Sequence, residues 1–151
     1  KIQSYPGVIG VHDLMIHDYG PGNLFATVHV EFPAETPVIE AHEVMDEIER
    51  DFQEQEHMIL TIHYDPIVEE NAEVAEIRAF VSKAAKELDE RLSIHEVRLV
   101  PGNESSNVIF DCVKPAGFKV SDSEITSYLQ KRVTEWNPRY RCVIKVEQSY
   151  V

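Results

Sequence analysis

The tightest constraint on this chain's fold is a repetition: the order strand, turn, strand, capped helix, strand can be read twice along its 151 residues. In the first half, residues 8–18 are rich in β-branched and apolar types and end at Tyr19-Gly20-Pro21-Gly22, a turn sequence. Residues 24–32 follow as a second strand, which predicts a hairpin. Thr36-Pro37 reads as an N-cap followed by proline at the first helical position. Val38, Ala41, Met45, Ile48 and Phe52 then recur at helical spacing. Residues 58–64 are a third strand, stopped by Pro66.

The second half opens with a long helix over residues 69–92, whose apolar stripe is Val74, Ile77, Val81, Ala84, Leu88 and Leu92. Strands over 94–100 and 107–113 flank the turn Pro101-Gly102-Asn103. Ser121-Asp122-Ser123-Glu124 is a capping-box sequence, opening a helix with Ile125, Leu129, Val133 and Trp136 on its apolar side. A strand over 141–147 closes the set. Val11-His12-Asp13-Leu14 is echoed by Ile94-His95-Glu96-Val97. The chain is therefore expected to be α+β, a tandem duplication of an α-β-β-α-β unit over residues 1–67 and 68–151. The first unit keeps only the tail of its leading helix, in residues 1–5. Each unit predicts a three-stranded antiparallel sheet with helices on one face and the other face open.

Charge narrows the function. The net charge of −13 excludes nucleic acid as a partner, because phosphate binding needs clustered Lys and Arg. Residues 1–66 hold 13 acidic residues against Lys1 and Arg50, or −11, whereas residues 67–151 hold 14 acidic and 12 basic, or −2. An acidic field of that kind concentrates small cations. No apolar run approaches the roughly 20 residues that span a bilayer, and residues 1–6 lack the apolar stretch of a signal peptide. The chain itself therefore reads as soluble. Cys112 and Cys142 lie within strands and outside any CxxC spacing, so they read as reduced packing residues of a cytoplasmic protein.

Six of the seven histidines lie in the first half. In the second strand Val28, Val30 and Phe32 point one way, and Thr27, His29 and Glu31 the other. In the third, Met58, Leu60 and Ile62 oppose Thr61, His63 and Asp65. His29, His63 and Asp65 thus share the open face, and imidazoles with a carboxylate suit a borderline divalent cation such as zinc. The first strand is apolar on both sides, so alternation does not place His12. His42 lies beside the apolar stripe of its helix. His17 and His57 read as surface residues, and His95 stands alone in the second half.

Four motifs in series carry a family resemblance: Val8-Ile9-Gly10-Val11-His12-Asp13-Leu14, Val28-His29-Val30, Glu40-Ala41-His42-Glu43 and Thr61-Ile62-His63-Tyr64-Asp65-Pro66. Over residues 1–67 the chain resembles the C-terminal cytoplasmic domain of cation diffusion facilitators, divalent cation/proton antiporters. The resemblance implies a ferredoxin- or metallochaperone-like fold, a homodimer below the membrane, and metal ligands at His12, His29, His63 and Asp65. His42 would complete a site near the dimer contact. The second copy departs from this pattern. It keeps His95 at the place of His12 but ends in Val146-Glu147-Gln148 where the first has His63-Tyr64-Asp65, so its site is read as lost.

The resulting expectation is regulation without catalysis. The chain would be a cytoplasmic metal-sensing and dimerisation domain attached to the transmembrane part of a zinc or manganese exporter, with zinc favoured by the ligand set. A freestanding metallochaperone-like module is the first alternative, against which the start at Lys1 and the shortened first helix weigh. A metal-free interaction domain is the second. A zinc hydrolase with Glu31 as acid–base is the third, but no substrate-binding loop supports it.

Overall fold

The computed structural model describes residues 1–149, which divide into two compact units at Ile67/Val68. In the first unit a single 3-10 turn, Ile2–Ser4, stands where the leading helix of the repeat would end. Then come β1 (Gly10–Asp18), β2 (Leu24–Pro33), α1 (Val38–Gln55) and β3 (Met58–Ile67). The second unit runs α2 (Ala72–Leu88), β4 (Ser93–Val100), β5 (Ser106–Lys114), α3 (Asp122–Trp136) and β6 (Tyr140–Gln148). The α+β class and the repeated strand-strand-helix-strand order are as the sequence predicts.

Strand direction departs from expectation once in each unit. β1 pairs antiparallel to β2, and β4 to β5, but β3 runs parallel to β2 and β6 parallel to β5. The sheets are mixed, with orders β1-β2-β3 and β4-β5-β6. The cause is the helix between the last two strands. It carries the chain back to the end it left, so the next strand sets off in the same direction.

Proline and capping residues show smaller shifts. Pro66 lies within β3, which is an edge strand. The N–H of Ile62 points outward there to Glu49 Oε1 at 2.9 Å, and alternation gives Pro66 nitrogen the same outward direction, where a missing N–H costs no ladder bond. Pro37 is itself the N-cap of α1, with no side-chain cap. α2 begins at Ala72, because the Asn71 side chain accepts from Val74 N at 2.8 Å and closes its first turn. The capping box at α3 forms as predicted, Ser121 and Glu124 each accepting from the other's backbone N–H.

In the first unit Ala26, Val28, Val30 and Phe32 of β2 meet Ala41 and Ile48 of α1, together with Leu60 of β3. In the second, α2 contributes Val74, Ile77 and Val81, and α3 Ile125, Leu129 and Val133, against Val108, Phe110 and Cys112. Each sheet is thus covered on one face. In both units the first strand carries a bulge, between His12 and Met15 in β1 and between His95 and Arg98 in β4. Asp13 and Glu96 take the left-handed conformation at these bulges, with φ of 50° and 53°.

Candidate metal centre

The bulge in β1 explains why alternation alone does not orient His12. One inserted residue shifts the phase of the strand, so that both His12 before it and Met15 after it lie opposite open-face residues of β2, His29 and Thr27. Strand register then lines up two rows across the sheet. His12, His29 and His63 form one row, and Gly10, Glu31 and Asp65 the next. The rings of the first row stack, with centroids 4.7 Å apart for His12–His29 and 4.3 Å for His29–His63.

Asp65 is the hub. Its Oδ2 lies 3.0 Å from His29 Nδ1 and 3.3 Å from His12 Nε2, and its Oδ1 lies 3.6 Å from His63 Nε2. The other nitrogen of His12, Nδ1, is 2.8 Å from Glu31 Oε1. Both carboxylates are buried, Glu31 at 1% exposure and Asp65 at 3%. Gly10 makes room for this, since a Cβ there would stand 2.6 Å from Glu31 Oε2.

Burial disfavours a charged ring at His12, but the hydrogen bonds to Asp65 and Glu31 outweigh it and hold the imidazolium up to about 9. Asp65 is subject to the converse balance. Its burial favours the neutral acid, and the hydrogen bonds from His12 and His29 keep its carboxyl below the usual range. Without metal, a protonated His12 thus lies between Asp65 and Glu31.

One donor atom each from His12, His29 and Asp65 falls within a 4.8 Å sphere of mutual distance, the one such group of three among the described residues. Ligands bonded tetrahedrally at about 2.0–2.1 Å stand about 3.3 Å apart. The contacts of Asp65 to His12 and His29 are already of that size. Two imidazoles and a carboxylate are a donor set for a borderline divalent cation, with Glu31 placed to fix the tautomer of His12 from behind. A shallow open depression beside them, lined by Leu14, Met15, Thr27, Thr61 and His63, gives a small ion access.

The five expected ligands therefore separate. His12, His29 and Asp65 converge. His63 stands at the rim, its side chain 67% exposed but within reach of Asp65. His42 lies exposed on α1, the helix that covers the opposite face of the sheet, and is not part of the group. Glu31, weighed in the sequence only as an acid–base, is a buried partner of His12. Its signal was its position on the same strand face as His29. Gly10 carried no signal that register had not first supplied.

The family match to known proteins falls on this unit. Residues 1–67 match the family model described as "Cation efflux protein, cytoplasmic domain". The cation-efflux pump FieF of Yersinia enterocolitica is 43% identical over 49 residues, covering 32% of this chain and 16% of the pump. FieF of Escherichia coli K12 is 39% identical over 49 residues, again 32% of this chain and 16% of the pump. FieF of Salmonella newport is 36% identical over 66 residues, 43% of this chain and 22% of the pump. The aligned part is thus less than a quarter of each relative's length.

Proposed function

We propose that this chain, whose residues 1–67 match the cytoplasmic domain of cation efflux proteins, senses a divalent metal for a membrane exporter and dimerises in response. The observation that carries the reading is the convergence of His12, His29 and Asp65 on the open face of that unit. Transport itself would belong to a transmembrane part of the full-length protein, and the domain would act from the cytoplasmic side. No helix among the described residues is long and apolar enough to cross a membrane.

In this reading His12 Nε2, His29 Nδ1 and an Asp65 oxygen hold the metal, and His63 closes the rim. His42, exposed on α1, is left for a contact with a second copy. The bound ion supplies positive charge where the metal-free centre carries a proton. Zinc is favoured over manganese because the divalent affinity order for nitrogen ligands places manganese lower.

Dimerisation is supported by what surrounds the centre. Met15, Phe25 and Ile59 are large apolar side chains, 57%, 41% and 49% exposed, on the same face as the histidines. Net charge of −11 over residues 1–66 opposes close approach of two copies until cations neutralise it. Metal can shift the association only through its differential affinity for the two states. A hydrolytic role is disfavoured, because Glu31 is packed behind His12 and so is not presented to a substrate.

The test is zinc titration by calorimetry with the mass followed by light scattering. One tight zinc site per chain, lost in His29→Ala and in Asp65→Ala, with association on loading and reversal by chelator, is the expected result. A monomer that takes up zinc without associating would reduce the domain to a passive metal-binding module. Absence of zinc and manganese binding would sink the reading.

A further inference from the structure

The second unit carries the same bulged strand and the same register, so each position of the metal centre has a counterpart there. His95 pairs with Asp111, and Asp111 with Lys145, which reproduces the His12, His29, His63 row. Ser93, Val113 and Glu147 reproduce the row of Gly10, Glu31 and Asp65. The sequence comparison of the two strand ends is thereby corrected by one residue. Lys145-Val146-Glu147, and not Val146-Glu147-Gln148, stands where the first unit has His63-Tyr64-Asp65. A slip of one residue exchanges the two faces of a strand, and it concealed the lysine.

Two ligand positions of the first centre are therefore kept in kind, His95 for His12 and Glu147 for Asp65. A third, Asp111 for His29, exchanges one metal-binding side chain for another. The fourth is not a ligand but an ammonium. Lys145 Nζ lies 2.5 Å from Glu147 Oε1 and in the field of Asp111 and Glu96. His95 turns its Nε2 to Ser93 Oγ at 3.0 Å, and the carboxylate opposite it, Asp111, is only half-buried. Glu31 has become Val113, and the space left by Gly10 is filled by Ser93.

We propose that Lys145 is a built-in cation that keeps a second divalent-metal site shut, and that His95, Asp111 and Glu147 are its latent ligands. An ammonium held against Glu147 neutralises the carboxylate that a metal would need and repels the incoming ion. The face of the second unit thus keeps one charge state with or without metal, while that of the first changes on loading. This rests on the reading of the first centre as a metal site.

The experiment uses the whole chain with the first centre removed by His29→Ala and Asp65→Ala. That background is expected to bind no zinc by calorimetry. Adding Lys145→His should restore one zinc per chain, and further adding His95→Ala or Glu147→Ala should abolish it again. Lys145→Gln, which removes the charge without adding a ligand, should bind zinc more weakly than Lys145→His. Zinc binding by the background that is lost on His95→Ala would overturn the proposal, because Lys145 would then close nothing. Failure of Lys145→His to bind zinc while circular dichroism shows it folded would overturn it equally. Absence of zinc binding by the unmodified chain would instead strike the proposed function, and the Lys145→His arm would still report on the second unit.

Discussion

Gly10 sits directly opposite Glu31 across β1 and β2, and a Cβ on Gly10 would fall 2.6 Å from one carboxylate oxygen of Glu31 and 2.9 Å from its Cδ. Such a clash is cheap only where the obstructing group is free to swing away. Glu31 is 1% exposed and held by His12, so it has nowhere to go without leaving a buried charge unsatisfied.

Gly10→Ala is therefore expected to destabilise the first unit by about 1–3 kcal/mol. Glu31→Asp, which shortens the acid by one carbon, should recover part of that loss when combined with it. Urea unfolding of the two single variants and the double variant completes the cycle. Strictly additive losses would mean that the two residues do not compete for the same space.

Glu31 also sets what His12 offers to a metal. With Nδ1 committed to the buried carboxylate, Nε2 is the nitrogen left facing Asp65. Glu31→Gln keeps the shape and removes the charge, and zinc affinity should fall by roughly 10–100-fold. His63→Ala should cost less, since His63 stands exposed at the rim. Competition titration against a zinc-responsive dye measures both. A larger loss from His63→Ala than from Glu31→Gln would reverse the assignment of which side chain supports the centre.

The legible parts of this chain are those set by local chemistry. Helical spacing in α1, the capping box at Ser121 and the period-two faces of β2 and β3 all depend on neighbours in sequence, and they form as read. His29, His63 and Asp65 were placed correctly on one face for the same reason. What local patterns did not reach was set by pairing between strands. The bulge at Asp13 decides where His12 points, and an aspartate with φ of 50° is a weak signal, because Asp also occurs widely in ordinary backbone conformations. The parallel direction of β3 follows from the crossover helix. The depth of Glu31, and the presence of Lys145 in place of a histidine, follow from register alone.

His57 lies at the surface, as its sequence context predicts, and its importance is in its backbone. It follows the C-cap of α1 with φ of 53°, the left-handed position that usually ends a helix with glycine. An L side chain there is strained, and the relief on His57→Gly exceeds the entropy added to the unfolded chain. The substitution should stabilise the first unit by about 0.5–1 kcal/mol. Zinc affinity should not change. Thermal unfolding and titration of the same preparation test the two statements separately, and a loss of zinc binding would make His57 a ligand after all.

The two cysteines connect burial to pH. Both are free, and burial pushes the thiol of Cys112 up to about 11 and that of Cys142 up to about 12. An unfolded thiol ionises near about 8.5, so the native state holds its protons where the unfolded state has lost them. Their contribution to stability is therefore full below that value. It is lost as pH rises toward the folded-state values, because thiolate formation then draws the chain to the unfolded side. The urea midpoint of the second unit should fall between about pH 8 and about pH 10, and fall less in the Cys112→Ala, Cys142→Ala double variant. In parallel, a thiol reagent at neutral pH should label both cysteines only after unfolding, since the thiolate is the reactive form. Rapid labelling of the folded chain would show that burial does not hold these thiols protonated, and the same alkaline decline in the double variant would show that other groups titrate.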